Sequence, residues 1–310
     1  MQTTIRSKKK SFIRYFRSNW ALYLLSIPGL IYIIGYKILP LVGLQLAFKE
    51  FDMFAGKNIL DSIFKSEWVG LEHFVRIFGS PNFIHLLTNT LTISVMKLVF
   101  TFPLPILLAL MLNEVRNRFF ARTVQTLVYM PHFLSWVIIH GIFVTLLSSN
   151  GFVNRALNTE IGFYTDPQIF RWLLVLTVGW KETGWGAIVY LAALTSIDEE
   201  LYDAAYVDGA GYFKRLWHIT LPSIIPIISL MLLLRLGGIL GAGHEQILVM
   251  YNSTVYSTAD VLSTYIYRIG MGKLDFSTAT ALGLFESLVG FVLMVVCNMV
   301  SRKILERSLW

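Results

Sequence analysis

Long apolar runs separated by short polar connections recur along most of the chain. A helix needs about 20 mostly apolar residues to cross the hydrocarbon core of a bilayer. Six runs meet that length, at residues 20–47, 84–112, 121–147, 170–194, 222–243 and 277–300. The pattern predicts an all-α, polytopic membrane protein with six transmembrane helices and both ends on the same side. One connection, from Lys49 to Asn82 with Trp68 and the run "WVGLEHFVRIF", is long enough for a small subdomain outside the membrane. Neither an internal repeat nor a low-complexity linker stands out.

The runs are not uniform. The second contains "FPLP", Phe102 to Pro105; the third contains "MPH", Met130 to His132; the fifth contains "RLGGILGAG", Arg235 to Gly243. Pro and Gly free backbone groups that must find partners in neighbouring helices or a wet cavity, and Gly also lets helices approach closely. Such positions mark either kinks and tight packing or a polar path. Ionisable residues narrow the choice, because a charge at membrane depth is costly unless it faces protein or water. Lys37, Lys97, Lys181, Glu182, Arg235 and Glu286 fall in or near the runs. Lys37 is placed to snorkel to an interface, and Lys181 with Glu182 could pair. Arg235 and Glu286, near the middles of their runs, predict either an interhelix pair or a translocation path.

Composition agrees with the pattern. Hydrophobic residues make up 55% and charged residues 15% of the chain, against roughly a quarter charged in soluble domains. The single cysteine, Cys297, allows neither an internal disulfide nor a cysteine metal site. The net charge of +7 gains meaning from its placement. With the N-terminus in the cytoplasm, the inner bases are Arg6, Lys8, Lys9, Lys10, Arg14, Arg17, Arg116, Arg118, Arg122, Lys214, Arg215, Arg302, Lys303 and Arg307. The outer ones are Lys49, Lys57, Lys65, Arg76, Arg155, Arg268 and Lys273. A roughly two-to-one excess inside is the orientation signal of membrane proteins, so the charge reports topology and not nucleic-acid binding. Phe12, Ile13, Tyr15 and Phe16 among the first bases predict an interfacial helix. The first run is too long for a signal peptide and no cleavage site follows it, so it is expected to persist as a helix.

This topology places the polar stretch "ELYDAAYVDGAGYFKRLWHITLP", residues 200–222, in the cytoplasm. Ser196 and Glu199 have capping-box spacing. Leu201, Ala204 and Ala205 then form a narrow helical face. Asp208 and Gly209 break the helix, Gly209 supplying a backbone conformation that other residues resist, and Asp208 is placed to cap a second helix. That helix carries Phe213, Leu216 and Trp217 on one face before Leu221 and Pro222 hand the chain to the fifth run. Asp198, Glu199, Glu200, Asp203 and Asp208 outnumber Lys214 and Arg215, which opposes phosphate binding. A helical knob with exposed aromatics suits a groove on a protein partner.

The spacing of Asp203, Ala204, Ala205, Gly209, Ile219, Leu221 and Pro222 (D-A-A, three residues, G, nine residues, I-x-L-P) resembles the EAA loop of binding-protein-dependent ABC importer permeases. Asp203 stands where that family usually has Glu, which keeps the charge and shortens its reach. The segments "IPGLIYIIGYKILPLVGLQLAFKEFD", "LTNTLTIS", "LVYMPHFLSWVI", "GGILGAGHEQILVMYN", "LSTYIYRIG" and "TATALGLFESLVGF" look like the LplB-type, MalF-like branch of carbohydrate-uptake permeases. The resemblance implies the ABC type I importer permease fold in a bacterial cytoplasmic membrane, with both termini cytoplasmic. Its implied boundaries are a basic N-terminal segment at 1–19, a permease domain at 20–300 with a coupling loop at 196–221, and a cytoplasmic tail at 301–310. It also implies a second, homologous and non-identical permease, two ATP-binding subunits, and an extracytoplasmic solute-binding protein that delivers an oligosaccharide, often an acidic one. The coupling contact to the ATPase then falls to Asp203, Ala204, Ala205, Asp208 and Gly209, with Arg215, Ile219, Leu221 and Pro222. No G-x-x-x-x-G-K-[ST] occurs here, so ATP and magnesium belong to the partner, and the chain is expected to be a translocation subunit without a cofactor of its own.

Aromatic and polar residues on spans three to six are the candidates for the sugar path: Trp180, Lys181, Trp185, Tyr190, Arg235, Glu245, Asn252 and Glu286. Aromatic faces suit sugar C–H surfaces, and Arg235 and Lys181 suit a carboxylate. The same Trp and Tyr residues would also suit membrane interfaces. Two other classes compete. An ion-coupled secondary transporter would need paired broken helices in inverted repeats, and a membrane enzyme would need convergent catalytic groups. His73, His85, His132, His140, His218 and His244 are scattered without metal-ligand spacing, which points to structural roles.

Overall fold

A computed structural model describes residues 15, 16 and 18–305. The basic residues Arg6 to Arg14, Arg17, the interfacial Phe12 and Ile13, and the tail bearing Arg307 lie outside the described residues. The chain divides into two compact units, residues 1–72 and 73–310. Within the first unit a helix, Trp20–Ile33, with no buried residue, continues through wider and tighter turns to Phe48, where Ala47 is buried. A two-residue antiparallel pairing of Lys49–Glu50 with Glu67–Trp68 then encloses a short helix, Ile59–Lys65. Asn58 caps that helix by accepting from the Asp61 amide at 2.9 Å. The Lys49 ammonium donates to the carbonyls of Ile63 and Phe64, both at 2.8 Å.

The second unit is a helical bundle built around one central helix, the fourth span, Pro167–Leu194. Asp166 caps it, accepting from the amides of Gln168 and Ile169, and Pro167 occupies its first turn, where no amide is needed. Small residues let neighbours close on it. A Cβ at Gly184 would run into the Val128 carbonyl, and one at Gly186 would press on Pro105 at 3.0 Å. The second span, Pro81–Asn113, crosses "FPLP" with Phe102 still helical, so its prolines bend the helix without ending it. The sixth, Phe276–Leu305, runs past the expected boundary at residue 300.

Among the described residues, five helical stretches are both long and apolar enough to cross a membrane: Trp20–Phe48, Pro81–Asn113, Trp136–Leu157, Tyr212–Gly237 and Phe276–Met299. The fourth span has the length, 28 residues, but carries Thr177, Lys181, Glu182 and Thr183 in its middle. Of these, Thr177 and Lys181 are buried, while Glu182 and Thr183 are half-buried. Near the start of this helix, Arg171 ties it to the second span and to the segment between the fifth and sixth spans. Its guanidinium donates to Asn89 Oδ1 at 2.7 Å and to the Thr258 carbonyl at 3.1 Å. Asp260 accepts two bonds from Arg268, at 3.1 and 2.6 Å, and holds that guanidinium protonated beyond its usual range.

Two spans expected as continuous helices are broken. The run 121–147 forms a helix at Arg118–Tyr129, a tight turn at Met130–Phe133, extended residues Leu134 and Ser135, and a second helix at Trp136–Leu147. The run 222–243 ends at Gly237 and turns through Ile239–Gly241, with Ala242 and Gly243 left-handed (φ 46° and 78°), before a short helix at His244–Met250. Each break frees carbonyls from their helical partners, and each is closed by a buried lysine. Lys181 Nζ donates to the carbonyls of His132 and Leu134, both at 2.6 Å. Lys97 Nζ donates to the Ala242 carbonyl and to Gln246 Oε1, both at 2.6 Å. Ser94 bonds the Ile239 carbonyl and Ser263 the Gly241 carbonyl at 3.3 Å. The pair expected between Lys181 and Glu182 does not form, because adjacent helical residues point apart. Glu182 instead meets His132 Nδ1 at 2.9 Å.

Two outcomes are expected. Lys181→Met orphans two part-buried carbonyls, at up to about 1–3 kcal/mol each, so thermal unfolding in detergent should show a clear loss of stability, whereas Glu182→Gln, at a half-exposed pair, should change it by less than about 1 kcal/mol. Gly184→Val should sharply reduce the amount of protein in the membrane, because the neighbour it strikes is backbone; quantitative immunoblotting of membrane fractions checks this.

Candidate functional site

The polar stretch between the fourth and fifth spans folds as a protruding knob. Its first helix, Glu199–Val207, is capped by Asp198, which accepts from the Glu200 amide at 3.0 Å. Ser196, expected as the cap, instead bonds back to the Ala193 carbonyl at 2.7 Å. Asp208 closes this helix and does not cap the next, whose N-cap position is Gly211. Gly209 turns the chain with φ 72° and nothing lies near its Cβ position, so its requirement is conformational and not steric. The second helix starts at Tyr212 and passes through one wide turn, Leu216–Thr220, straight into the fifth span. Knob and span are therefore one continuous helix, Tyr212–Gly237.

The tip is exposed and apolar: Tyr206, Val207, Phe213 and Trp217 are each 65–85% accessible. Asp203, Ala204, Asp208 and Gly209 are exposed beside them, and Ala205 is half-buried. The base is anchored. Tyr202 Oη and Thr220 Oγ1 share a hydrogen bond of 2.9 Å across the two helices. Ile197 and Leu221 pack on a core of Ala109, Ala187, Tyr190, Leu194 and Ile224. Arg215 and Ile219 are half-buried toward that base, while Pro222 is exposed. The nine coupling candidates thus divide into an exposed tip from Asp203 to Gly209 and a base from Arg215 to Pro222 that joins the bundle.

The candidates for the solute path do not converge on one site. Tyr190 is 3% exposed and belongs to the core under the knob, so it faces no path within this chain. The side chain of Asn252 is spent on structure: it donates to the Tyr164 carbonyl at 2.9 Å and accepts from the Thr254 amide at 3.0 Å. Trp185 stacks on His132 with centroids 4.5 Å apart and rings 1° from parallel, beside the His132–Glu182 pair. Trp180 packs edge-on against Phe143 and lines an apolar groove of about 600 Å³ with Leu104, Leu127, Pro131 and Leu176. Glu245 is exposed, and Glu286 is half-buried with no polar partner among the described residues. Arg235 and Glu286 do not pair; Arg235 donates to Thr101 Oγ1 at 2.7 Å across to the second span.

Arg235 also lines a cavity of about 150 Å³ at the fifth-span break, together with Ser94, Lys97, Gly238, Ile239, Ala242 and Gly243. Lys97 is the functional candidate that the polar pattern along the sequence flagged only as a charge. Its place beside Arg235 in this cavity is set by hydrogen bonds to Ala242 and Gln246, 145 and 149 residues away, and has no local signature. A second cavity, of about 340 Å³, lies between His140, Ser148, Tyr164, Met250 and Asn252. Burial raises the Tyr164 hydroxyl above its ordinary pKa. Among the described residues no group of three His, Cys, Asp or Glu side chains could hold a metal.

Comparison with known proteins places this architecture. The chain is 44% identical to protein LplB of Bacillus subtilis (strain 168) over 95% of this chain and 92% of that protein. It is 41% identical to the polygalacturonan/rhamnogalacturonan transport system permease protein YteP of the same organism, over 98% of this chain and 94% of that protein. Its fold matches a bacterial ABC transporter involved in the import of the acidic polysaccharide alginate, with 42% identity and a TM-score of 0.86 over 95% of this chain and 99% of that one. An alginate transporter in complex with its alginate pentasaccharide-bound periplasmic protein matches with a TM-score of 0.85 and 42% identity over 96% and 99%. The family model for the binding-protein-dependent transport system inner membrane component matches residues 101–306, which hold the broken third span, the central fourth, the knob and the fifth-span break; Ser94 and Lys97 of the cavity lie just before that range. The chain belongs to that family of ABC importer permeases.

Proposed function

We propose that the chain is one of two permease subunits in an ATP-driven importer of oligosaccharides, acidic ones included, with a solute-binding protein outside and two ATPase subunits inside. The carbohydrate reading rests on relatives named for polygalacturonan, rhamnogalacturonan and alginate. In this reading both termini and the knob are cytoplasmic, in accord with the distribution of Lys and Arg. ATP and magnesium bind the partner ATPase. Nothing favours the ion-coupled alternative, since the family is driven through a binding protein and a separate ATPase.

The observation that carries the reading is the knob. Its apolar tip protrudes from a membrane protein's polar connection, where exposed aromatics need a partner to cover them. Its hinge is continuous with the fifth span, so a push on Ala204, Ala205, Asp208 or Gly209 is delivered along that helix. Asp203 flanks the contact, and Arg215, Ile219, Leu221 and Pro222 connect it to the bundle. ATP-driven closure of the ATPase dimer then biases two bundle states that lie close in free energy.

Replacing Gly209 by Pro, or Ala205 by Trp, should abolish uptake by cells expressing the full transporter while leaving this chain in the membrane at normal abundance. Normal uptake at normal abundance would remove the coupling role. A cysteine pair formed by Ala205→Cys and a cysteine in the ATPase cleft should cross-link, and the purified chain should co-elute with an ATPase and a second permease. Co-elution with neither would remove the assembly.

A further inference from the structure

We infer that the fifth-span break holds a carboxylate-reading subsite, in which Arg235, supported by Lys97, binds the carboxylate of a uronate residue during transport. The inference rests on the carbohydrate reading above and deepens it. Arg235 lies fourteen residues beyond Leu221, about 21 Å along the fifth helix. Lys97 lies sixteen residues into the second span from Pro81, about 24 Å from that end. The two therefore meet deep in the bundle, where a cation is costly unless an anion or water faces it.

The cavity between them offers donors and almost no acceptors. Its freed carbonyls are already taken: Ile239 by Ser94 and Ala242 by Lys97. Lys97 spends two of its three N–H groups on Ala242 and Gln246 and keeps one. Arg235 spends one donor on Thr101, and none of its other nitrogens is sealed from solvent without a partner. No carboxylate lines the cavity. Glu182, which lies within electrostatic range of Arg235, is engaged by His132, and Glu286 stands outside the lining. A neutral sugar face needs acceptors as well as donors, whereas a carboxylate accepts only. A planar guanidinium with free N–H groups matches a carboxylate in two parallel bonds. The volume, about 150 Å³, equals about five water molecules at ~30 Å³ each, enough for the carboxylate and part of its ring.

Gly243 sets the geometry. It is left-handed, and a Cβ there would come within 2.7 Å of Lys97 Nζ. The missing Cβ leaves room for the ammonium against the break, in the cavity that Lys97 and Arg235 both line.

The test uses the complete transporter in proteoliposomes with its binding protein, and measures uptake of trigalacturonate, its methyl ester and the neutral trisaccharide cellotriose. Arg235→Gln should lower trigalacturonate uptake relative to the ester by about 10- to 100-fold, the range for loss of one charge-assisted pair. Arg235→Lys, which keeps the charge and loses the fork, should fall between, and membrane abundance of both variants is measured to remove folding losses. If the wild type carries trigalacturonate and the ratio is unchanged in Arg235→Gln, the subsite is overturned and the acidic-oligosaccharide reading stands. If the wild type carries cellotriose and not trigalacturonate, or none of the three, the acidic reading fails and the subsite falls with it.

Discussion

The need to satisfy backbone carbonyls where water is absent governs the permease bundle. A continuous helix satisfies its own carbonyls, but the third and fifth spans are broken, and each break exposes carbonyls at membrane depth. Two buried lysines, Lys181 and Lys97, close these breaks, each from a different helix of the bundle. This arrangement turns an expensive pair of charges into structural joints. It also explains why the fourth span is the least apolar of the six yet the most enclosed: its polar middle is a receptor for its neighbours' loose ends.

The breaks in turn make room for function. A straight fifth span would fill the space that Gly238 to Gly243 leave open, and neither Arg235 nor Lys97 would face a cavity. The same helix begins at the knob, so the proposed entry point for ATP-driven motion and the proposed carboxylate subsite are the two ends of one 26-residue rod. At 1.5 Å per residue the rod is about 39 Å long. Movement of the hinge around Tyr202, Thr220 and Leu221 therefore acts on the same helix whose far end Ser94 and Lys97 tie to the second span.

Much of this was legible from local pattern. The apolar runs located the spans because hydrocarbon thickness sets their length, and Gly209 identified the turn because only glycine is at ease at φ 72°. The spacing from Asp203 to Pro222 carried the family. Local pattern failed where two candidates competed for one role. Asp198 rather than Ser196 caps the knob, since the Ser196 hydroxyl is drawn back to the preceding turn. Lys181 did not pair with its neighbour Glu182, because consecutive side chains on a helix diverge and the break offered two carbonyls to the lysine. Tyr190 and Asn252 have the chemistry of sugar contacts, but packing buried the first and a loop bonded the second.

The sequence by itself determined the membrane class, the approximate spans, the knob and the family, because each depends on residues within a few turns of one another or on the thickness of the bilayer. Only the tertiary structure decided which polar residues are joints and which remain available. That choice depends on partners far apart in the chain: Lys97 with Ala242, Lys181 with Leu134, Arg235 with Thr101. A hydrogen bond spends a donor once, so the free donors that could meet a solute are those left over after the fold has closed its own breaks.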